Sequence, residues 1–141
     1  MPTMKRFLGI LAVIYILVSG CTVHSSEVTS PDGHIRLVFA LDGNNRMTYQ
    51  VSVGDTAFVT PSLLGFLAKD GVNLAEGFKV INTDFTTHDE TWTQPWGENK
   101  NIRNHYNEMA VHLSDTTNTK LTLRFRIFDD GLGFRYEYEV P

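Results

Sequence analysis

Both tryptophans of the 141-residue chain, Trp92 and Trp96, fall in one five-residue window. Flat apolar rings this close together can stack on the C–H faces of a sugar. Glu98, Arg103, Asn104, His105 and Asn107 then lie near enough in sequence to hydrogen-bond hydroxyls. The same rings have a plainer use, which is to close the open end of a β-sandwich or to pack on a neighbouring domain. The carboxylates beside them, Glu90, Glu98 and Glu108, raise a second chemistry. Glycosidic hydrolysis needs two carboxyl groups roughly 5 to 9.5 Å apart, one of them with a raised pKa. On a polar loop beside water these three are expected to stay ionised and exposed, as solvated or turn-capping acids. No catalytic residue is assigned to the chain.

Metal chemistry finds equally little support. Three consecutive residues, His88-Asp89-Glu90, cannot all converge on one ion, and His105 and Glu108 would point to opposite faces of a strand. No ligand set of known geometry emerges, so no metal or cofactor is expected in this chain. Its one cysteine, Cys21, follows a basic start at Lys5 and Arg6, an apolar run over residues 7–18, and small residues at 19 and 20. That run is too short to span a bilayer comfortably and has the design of an export signal. Val18-Ser19-Gly20-Cys21 resembles the lipobox of bacterial lipoproteins, in which the cysteine is lipid-modified and becomes the new N-terminus. The expectation is a signal peptide over residues 1–20, a polar tether over 21–29, and a domain over 30–141. Attachment to the membrane would then run through lipid on Cys21, in the periplasm or at the outer membrane. Without Lys5 and Arg6, ten basic side chains face sixteen acidic ones, and the bases are scattered singly. This argues against nucleic acid as a partner.

The elements that must position these residues read as strands. At 42% hydrophobic and 20% charged, the chain can bury a core. Ile35, Leu37, Phe39 and Leu41 alternate with Arg36, Val38 and Ala40. After the turn Asp42-Gly43-Asn44-Asn45, Met47, Tyr49, Val51 and Val53 resume the period of two, which predicts a β-hairpin. Short strands are expected near residues 57–59 and 63–68. Residues 77–85 read as β-rich, with Phe78, Val80 and Ile81 buried, and residues 88–107 as a long polar loop. Met109, Val111 and Leu113 open a second hairpin, with Leu121, Leu123, Phe125 and Ile127 as its other inward face. Phe134, Tyr136, Tyr138 and Val140 alternate once more, the tyrosines as core residues. His112 is read as a solvent-facing strand residue. No window sustains helical spacing, so the expected fold is an all-β antiparallel sandwich. A regular last strand leaves an edge or a missing partner, which suggests a domain incomplete at its C-terminal end.

One order of segments carries a resemblance. It runs through Ser30-Pro31-Asp32-Gly33, Leu64-Gly65, Glu76-Gly77-Phe78, Asp89-Glu90-Thr91-Trp92-Thr93-Gln94-Pro95-Trp96-Gly97-Glu98, Ile102-Arg103-Asn104-His105-Tyr106-Asn107-Glu108 and Phe125-Arg126-Ile127-Phe128-Asp129-Asp130-Gly131-Leu132-Gly133-Phe134-Arg135-Tyr136. This order resembles the N-terminal domain of glycoside hydrolase family 97. The tryptophan segment and the Arg-Asn-His-Tyr-Asn-Glu segment are its specific parts. Members of that family are exported α-glucosidases and α-galactosidases. Each is built from an N-terminal super-sandwich of the galactose-mutarotase-like kind, a catalytic (β/α)₈ barrel and a C-terminal β-domain. The resemblance implies that the catalytic carboxylates and the calcium ligands of a full-length member lie beyond Pro141. The chain is thus expected to be a non-catalytic domain that meets an oligosaccharide and the catalytic barrel. The alternative is a stand-alone, lipid-anchored sugar-binding module with Trp92 and Trp96 as its platform.

Overall fold

Residues 24–69 and 71–138 are described by a computed structural model. Eight strands run through them: β1 (Ser25–Thr29), β2 (Ile35–Leu41), β3 (Met47–Val53), β4 (Thr56–Leu63), β5 (Lys79–Thr93), β6 (Asn101–Ser114), β7 (Lys120–Phe128) and β8 (Gly131–Tyr138). They form two antiparallel sheets, in the orders β1-β2-β3-β4 and β5-β6-β7-β8. Every neighbour in a sheet is also a neighbour in sequence, so turn chemistry decides the pairing. Between β2 and β3, Asp42 Oδ1 accepts from the backbone N–H groups of Asn44 and Arg46, both at 2.9 Å. Asp115 does the same between β6 and β7, taking the N–H groups of Thr117 and Thr119 at 2.9 and 2.7 Å.

The sheets stack through the alternating apolar positions. Ring centroids of Phe39 on β2 and Phe125 on β7 lie 6.2 Å apart, and those of Tyr49 on β3 and Phe134 on β8 lie 5.8 Å apart. β1 covers β6, where Asn107 Nδ2 donates to the Thr29 carbonyl at 2.9 Å. Leu37, Phe39, Met47, Phe78, Met109, Leu123 and Phe125 are fully buried between the sheets. Each such side chain contributes about 1.5–3 kcal/mol by leaving water. With β1 over β6, β2 over β7 and β3 over β8, strands β4 and β5 overhang at opposite margins.

The expected all-β sandwich is therefore the observed fold, but several local expectations need correction. Ser25–Thr29, assigned above to the tether, pairs along its whole length with β2 and buries Val28. β4 runs unbroken through Pro61, which an edge strand tolerates because one side of its backbone needs no partner. Residues 64–68 make no strand beyond an isolated bridge between Leu67 and Asn73. A bulge between Val80 and Asn82 turns Ile81 out to 67% exposure, against its expected burial. Residues 88–107 are no long loop: the ends of β5 and β6 pair up to a turn over residues 94–100. Tyr136 and Tyr138 are half-buried against the core, and the Tyr136 hydroxyl accepts from the Gly65 N–H at 2.8 Å. The signal and lipidation calls, Cys21 included, lie outside the described residues.

Candidate functional site

The candidate residues ride on the β5–β6 hairpin. Pairing runs without a shift from Thr83 opposite Val111 to Thr93 opposite Asn101. Met109 and Val111 point into the core. Strand alternation then places Asn107, His105 and Arg103 on the inner face, and Glu108, Tyr106, Asn104 and Ile102 on the outer one. Trp92 sits opposite Ile102 on the outer face at 45% exposure. Trp96 stands in the tip at 84% exposure, with the exposed Glu98 two residues on. The tip is closed by Gln94, whose N–H donates to the Lys100 carbonyl at 3.0 Å and whose Nε2 donates to the Asn99 carbonyl at 2.8 Å. Gly97 has a φ of 117°, where a Cβ would lie 2.6 Å from Gln94 Nε2.

The inner face is spent on the hairpin itself. Arg103 donates Nε and Nη2 to the two carboxylate oxygens of Asp89, both at 2.8 Å. That bond holds the Asp89 carboxyl below its ordinary value and raises the guanidinium in turn. Asn107 accepts from Thr87 Oγ1 at 2.8 Å and donates to Thr29. His105 keeps a buried Nδ1 with no hydrogen-bond partner among the described residues. On the outer face His88 stacks on Tyr106 at 5.0 Å, with Arg126 4.7 Å above the same tyrosine ring and Phe128 5.2 Å from it. The hairpin thus divides the candidates. Trp92 and Asn104 share the outer face, Trp96 and Glu98 share the tip, and Arg103, His105 and Asn107 face the other way.

Glu108 departs from its expected exposure. It is buried, with Oε1 accepting from Arg124 Nη1 at 2.5 Å and Oε2 from Arg126 Nε at 2.7 Å. Burial pushes its pKa up, but the hydrogen bonds from Arg126 and Arg124 outweigh that and hold it below the ordinary value. A general acid needs the opposite. Among the described residues no three of His, Cys, Asp or Glu gather in one place. The outer-face rings Tyr106, His88 and Phe128 escaped sequence reading as a group. Their signal was the alternation Asn104, Tyr106, Glu108, hidden inside a segment read as loop. A cavity of about 600 Å³ lies instead at the β6–β7 turn and is lined in part by His112, Thr122 and Glu137. These three polar groups are already engaged: His112 bonds Thr122 and Asp84 through its two nitrogens, and Glu137 holds Arg124 and Arg135.

Fold and site together define an all-β sandwich domain with a projecting, aromatic-bearing hairpin. Residues 28–141 match the family described as Glycosyl-hydrolase 97 N-terminal. Over 133 residues the chain is 24% identical to a retaining alpha-galactosidase of Bacteroides thetaiotaomicron, covering 94% of this chain and 19% of that protein. A glycoside hydrolase family 97 enzyme from a Pseudoalteromonas strain, solved in complex with acarbose, superposes with a TM-score of 0.75 and 30% identity over 82% of this chain and 18% of that one. A single-substitution variant of that enzyme, in complex with panose, gives the same figures. A beta-arabinopyranosidase shares the fold, with a TM-score of 0.74 at 23% identity. The chain belongs to the glycoside hydrolase 97 N-terminal domain family, and it spans about a fifth of the length of these relatives.

Proposed function

We propose that the chain is the non-catalytic scaffold and carbohydrate-contacting part of an exported family 97 glycoside hydrolase acting on α-glucosides or α-galactosides. The observation that carries this reading is the placement of Trp92 and Trp96. Two exposed indoles stand on and at the tip of a hairpin whose Arg103 and Asn107 are engaged by Asp89 and Thr87 on the opposite face. Exposed rings of this size offer a flat apolar face that a sugar or a protein surface can cover. The names of the relatives, an alpha-galactosidase and an enzyme held with panose or acarbose, supply the substrate class. In this reading the catalytic barrel supplies the reacting carboxylates and the calcium ligands. Export and lipid attachment at Cys21 place the domain in the periplasm or at the outer membrane.

Tryptophan fluorescence of the full chain, titrated with malto- and galacto-oligosaccharides, is the test. A saturable change abolished by Trp92→Ala supports stacking on sugar, the behaviour also required of a stand-alone binding module. No change confines the hairpin to packing on the catalytic domain. Release of nitrophenol from nitrophenyl α-glycosides by this chain alone would overturn the proposal.

A further inference from the structure

The outer face of the second sheet carries a row of arginines, two of which also meet Glu108 and Tyr106 of the hairpin. Arg124 pairs in register with Arg135, and Arg126 with Gly133, so the three arginines share one face across β7 and β8. Two carboxylates meet them. Glu108 takes Arg124 Nη1 and Arg126 Nε. Glu137 takes Arg124 Nε and Nη2 at 2.8 and 3.1 Å and Arg135 Nε at 2.8 Å. Arg124 is thereby occupied at all three nitrogens, whereas Arg126, whose guanidinium lies 4.7 Å over the Tyr106 ring, keeps its two terminal nitrogens free of hydrogen bonds and Arg135 keeps Nη1. Three guanidinium groups against two carboxylates leave one positive charge, in a chain whose formal net charge is −4.

That surplus charge borders a groove of about 190 Å³ lined by Arg124, Arg126, Phe128, Gly133, Phe134 and Arg135. The groove exists because Gly133 has no side chain, and nothing lies within 4 Å of the place its Cβ would occupy. On the same face Gly131 pairs with Phe128, so a strip of bare backbone runs beside an aromatic ring.

We propose that this groove binds a uronic acid, a sugar carrying a carboxylate. The ring lies flat on the backbone at Gly133 against Phe128, with the carboxylate on the free nitrogens of Arg126 and Arg135. A planar guanidinium edge matches the two oxygens of a carboxylate, and one surplus charge matches a monoanion. The groove is smaller than the roughly 300–1,000 Å³ typical of pockets for larger ligands, which suits a single ring. The choice of a sugar rests on the carbohydrate-handling reading above; the preference for an anion does not.

The test is a titration of the full, ¹⁵N-labelled chain with methyl glucuronide, methyl glucoside and acetate, followed by the amide resonances of Gly131 and Gly133. Glucuronide should bind at least tenfold more tightly than either other probe, and more weakly as salt is added. Gly133→Val fills the groove and spares every arginine; it should abolish the glucuronide response while leaving the thermal midpoint close to that of the parent chain. Arg126→Gln should weaken binding about tenfold. Equal affinity for glucoside and glucuronide, an equal response to acetate, or full binding in Gly133→Val would each overturn the proposal. Neutral oligosaccharides are read at the Trp92 and Trp96 indole signals, so failure there and failure here are told apart.

Discussion

Replacing Glu108 by Gln tests whether the arginine row is structural or merely superficial. The carboxylate is buried to 9% side-chain exposure, and its partners Arg124 and Arg126 are 24% and 39% exposed. A fully buried ion pair broken on one side costs about 3–5 kcal/mol. Here both guanidinium groups reach water and can be rehydrated. The amide also keeps one acceptor oxygen, although its NH₂ then faces a donor. One charge-assisted hydrogen bond of about 1.5–3 kcal/mol is thus lost without compensation, so the expected destabilisation is about 2 kcal/mol. For a chain of this length that lowers the thermal midpoint by roughly 6–10 °C. Far-UV circular dichroism during urea and thermal unfolding is the assay, because Trp92 and Trp96 lie on the exposed hairpin and report poorly on the core. A double-mutant cycle with Arg126→Met should return a coupling of about 1 kcal/mol. A loss below about 0.5 kcal/mol, with no coupling, would refute the argument and place Glu108 among ordinary surface pairs.

Acid should destabilise the fold in a defined window. The hydrogen bond from Arg124, with a second from Arg135, pulls Glu137 from an ordinary 4.5 down to about 2, and Glu108 is also held low. The folded-state values lie below the unfolded ones, so this stability is fully present above about pH 4.5 and is lost as pH falls towards 2. Solvent screening at the one-third-exposed Glu137 reduces its share to about 1 kcal/mol. Urea midpoints measured across that window should fall, and should fall less in Glu137→Gln; a flat profile refutes the claim. Gly65→Ala should cost more than about 3 kcal/mol or prevent folding, since at φ 120° its Cβ would lie 2.4 Å from Ala75 Cα and 2.6 Å from the Leu74 carbonyl oxygen. A soluble variant with parental thermal stability would contradict it. Phe58→Ser with Leu67→Gln, at 77% and 74% exposure, should change stability by less than about 0.5 kcal/mol and reduce self-association in light scattering. A loss of core size, about 3–5 kcal/mol as for Phe39→Ala, would show that they pack.

The parts of the fold with one wet and one dry face were legible in the sequence. β2 and β7 bury alternate residues, so the apolar period of Leu37, Phe39 and Leu41, or of Leu121, Leu123 and Phe125, marks them directly. The outer half of the β5–β6 hairpin has no such contrast. Beyond Thr87 and Asn107 the first sheet does not cover it, both faces are polar or aromatic, and the period of two carries no hydropathy signal. β1 was hidden for a related reason: Ser25, Ser26 and Glu27 leave only Val28 to enter the core. At the site, the types of residue were readable and their sides were not. Arg103 and Asn104 are adjacent in sequence, yet one closes an ion pair on the inner face while the other stands opposite Glu90 on the outer one. The buried Glu108 needed knowledge of Arg124 and Arg126, which only the pairing of β6 with β7 provides.

A two-stranded ribbon is marginal in water by itself, and the way this one is braced bears on what its rings can do. Its inner end is tied to the sandwich by the Asn107 bond to Thr29 and by the contact of the Ser26 and Thr83 hydroxyls at 3.4 Å. Further out, the Arg103–Asp89 pair and the Thr93 to Asn101 bond at 3.1 Å link the two strands. These links fix the register, and a slip of one residue would carry Trp92 and His88 to the inner face. The outward rings are therefore set by sheet pairing. Trp92 opposite Ile102 and His88 over Tyr106 keep their places while the tip carrying Trp96 and Glu98 has only the Gln94 closure to hold it. A partner that reads the hairpin thus meets one indole whose backbone is set by sheet pairing and a second on a turn closed by Gln94, so the two differ in how the fold positions them.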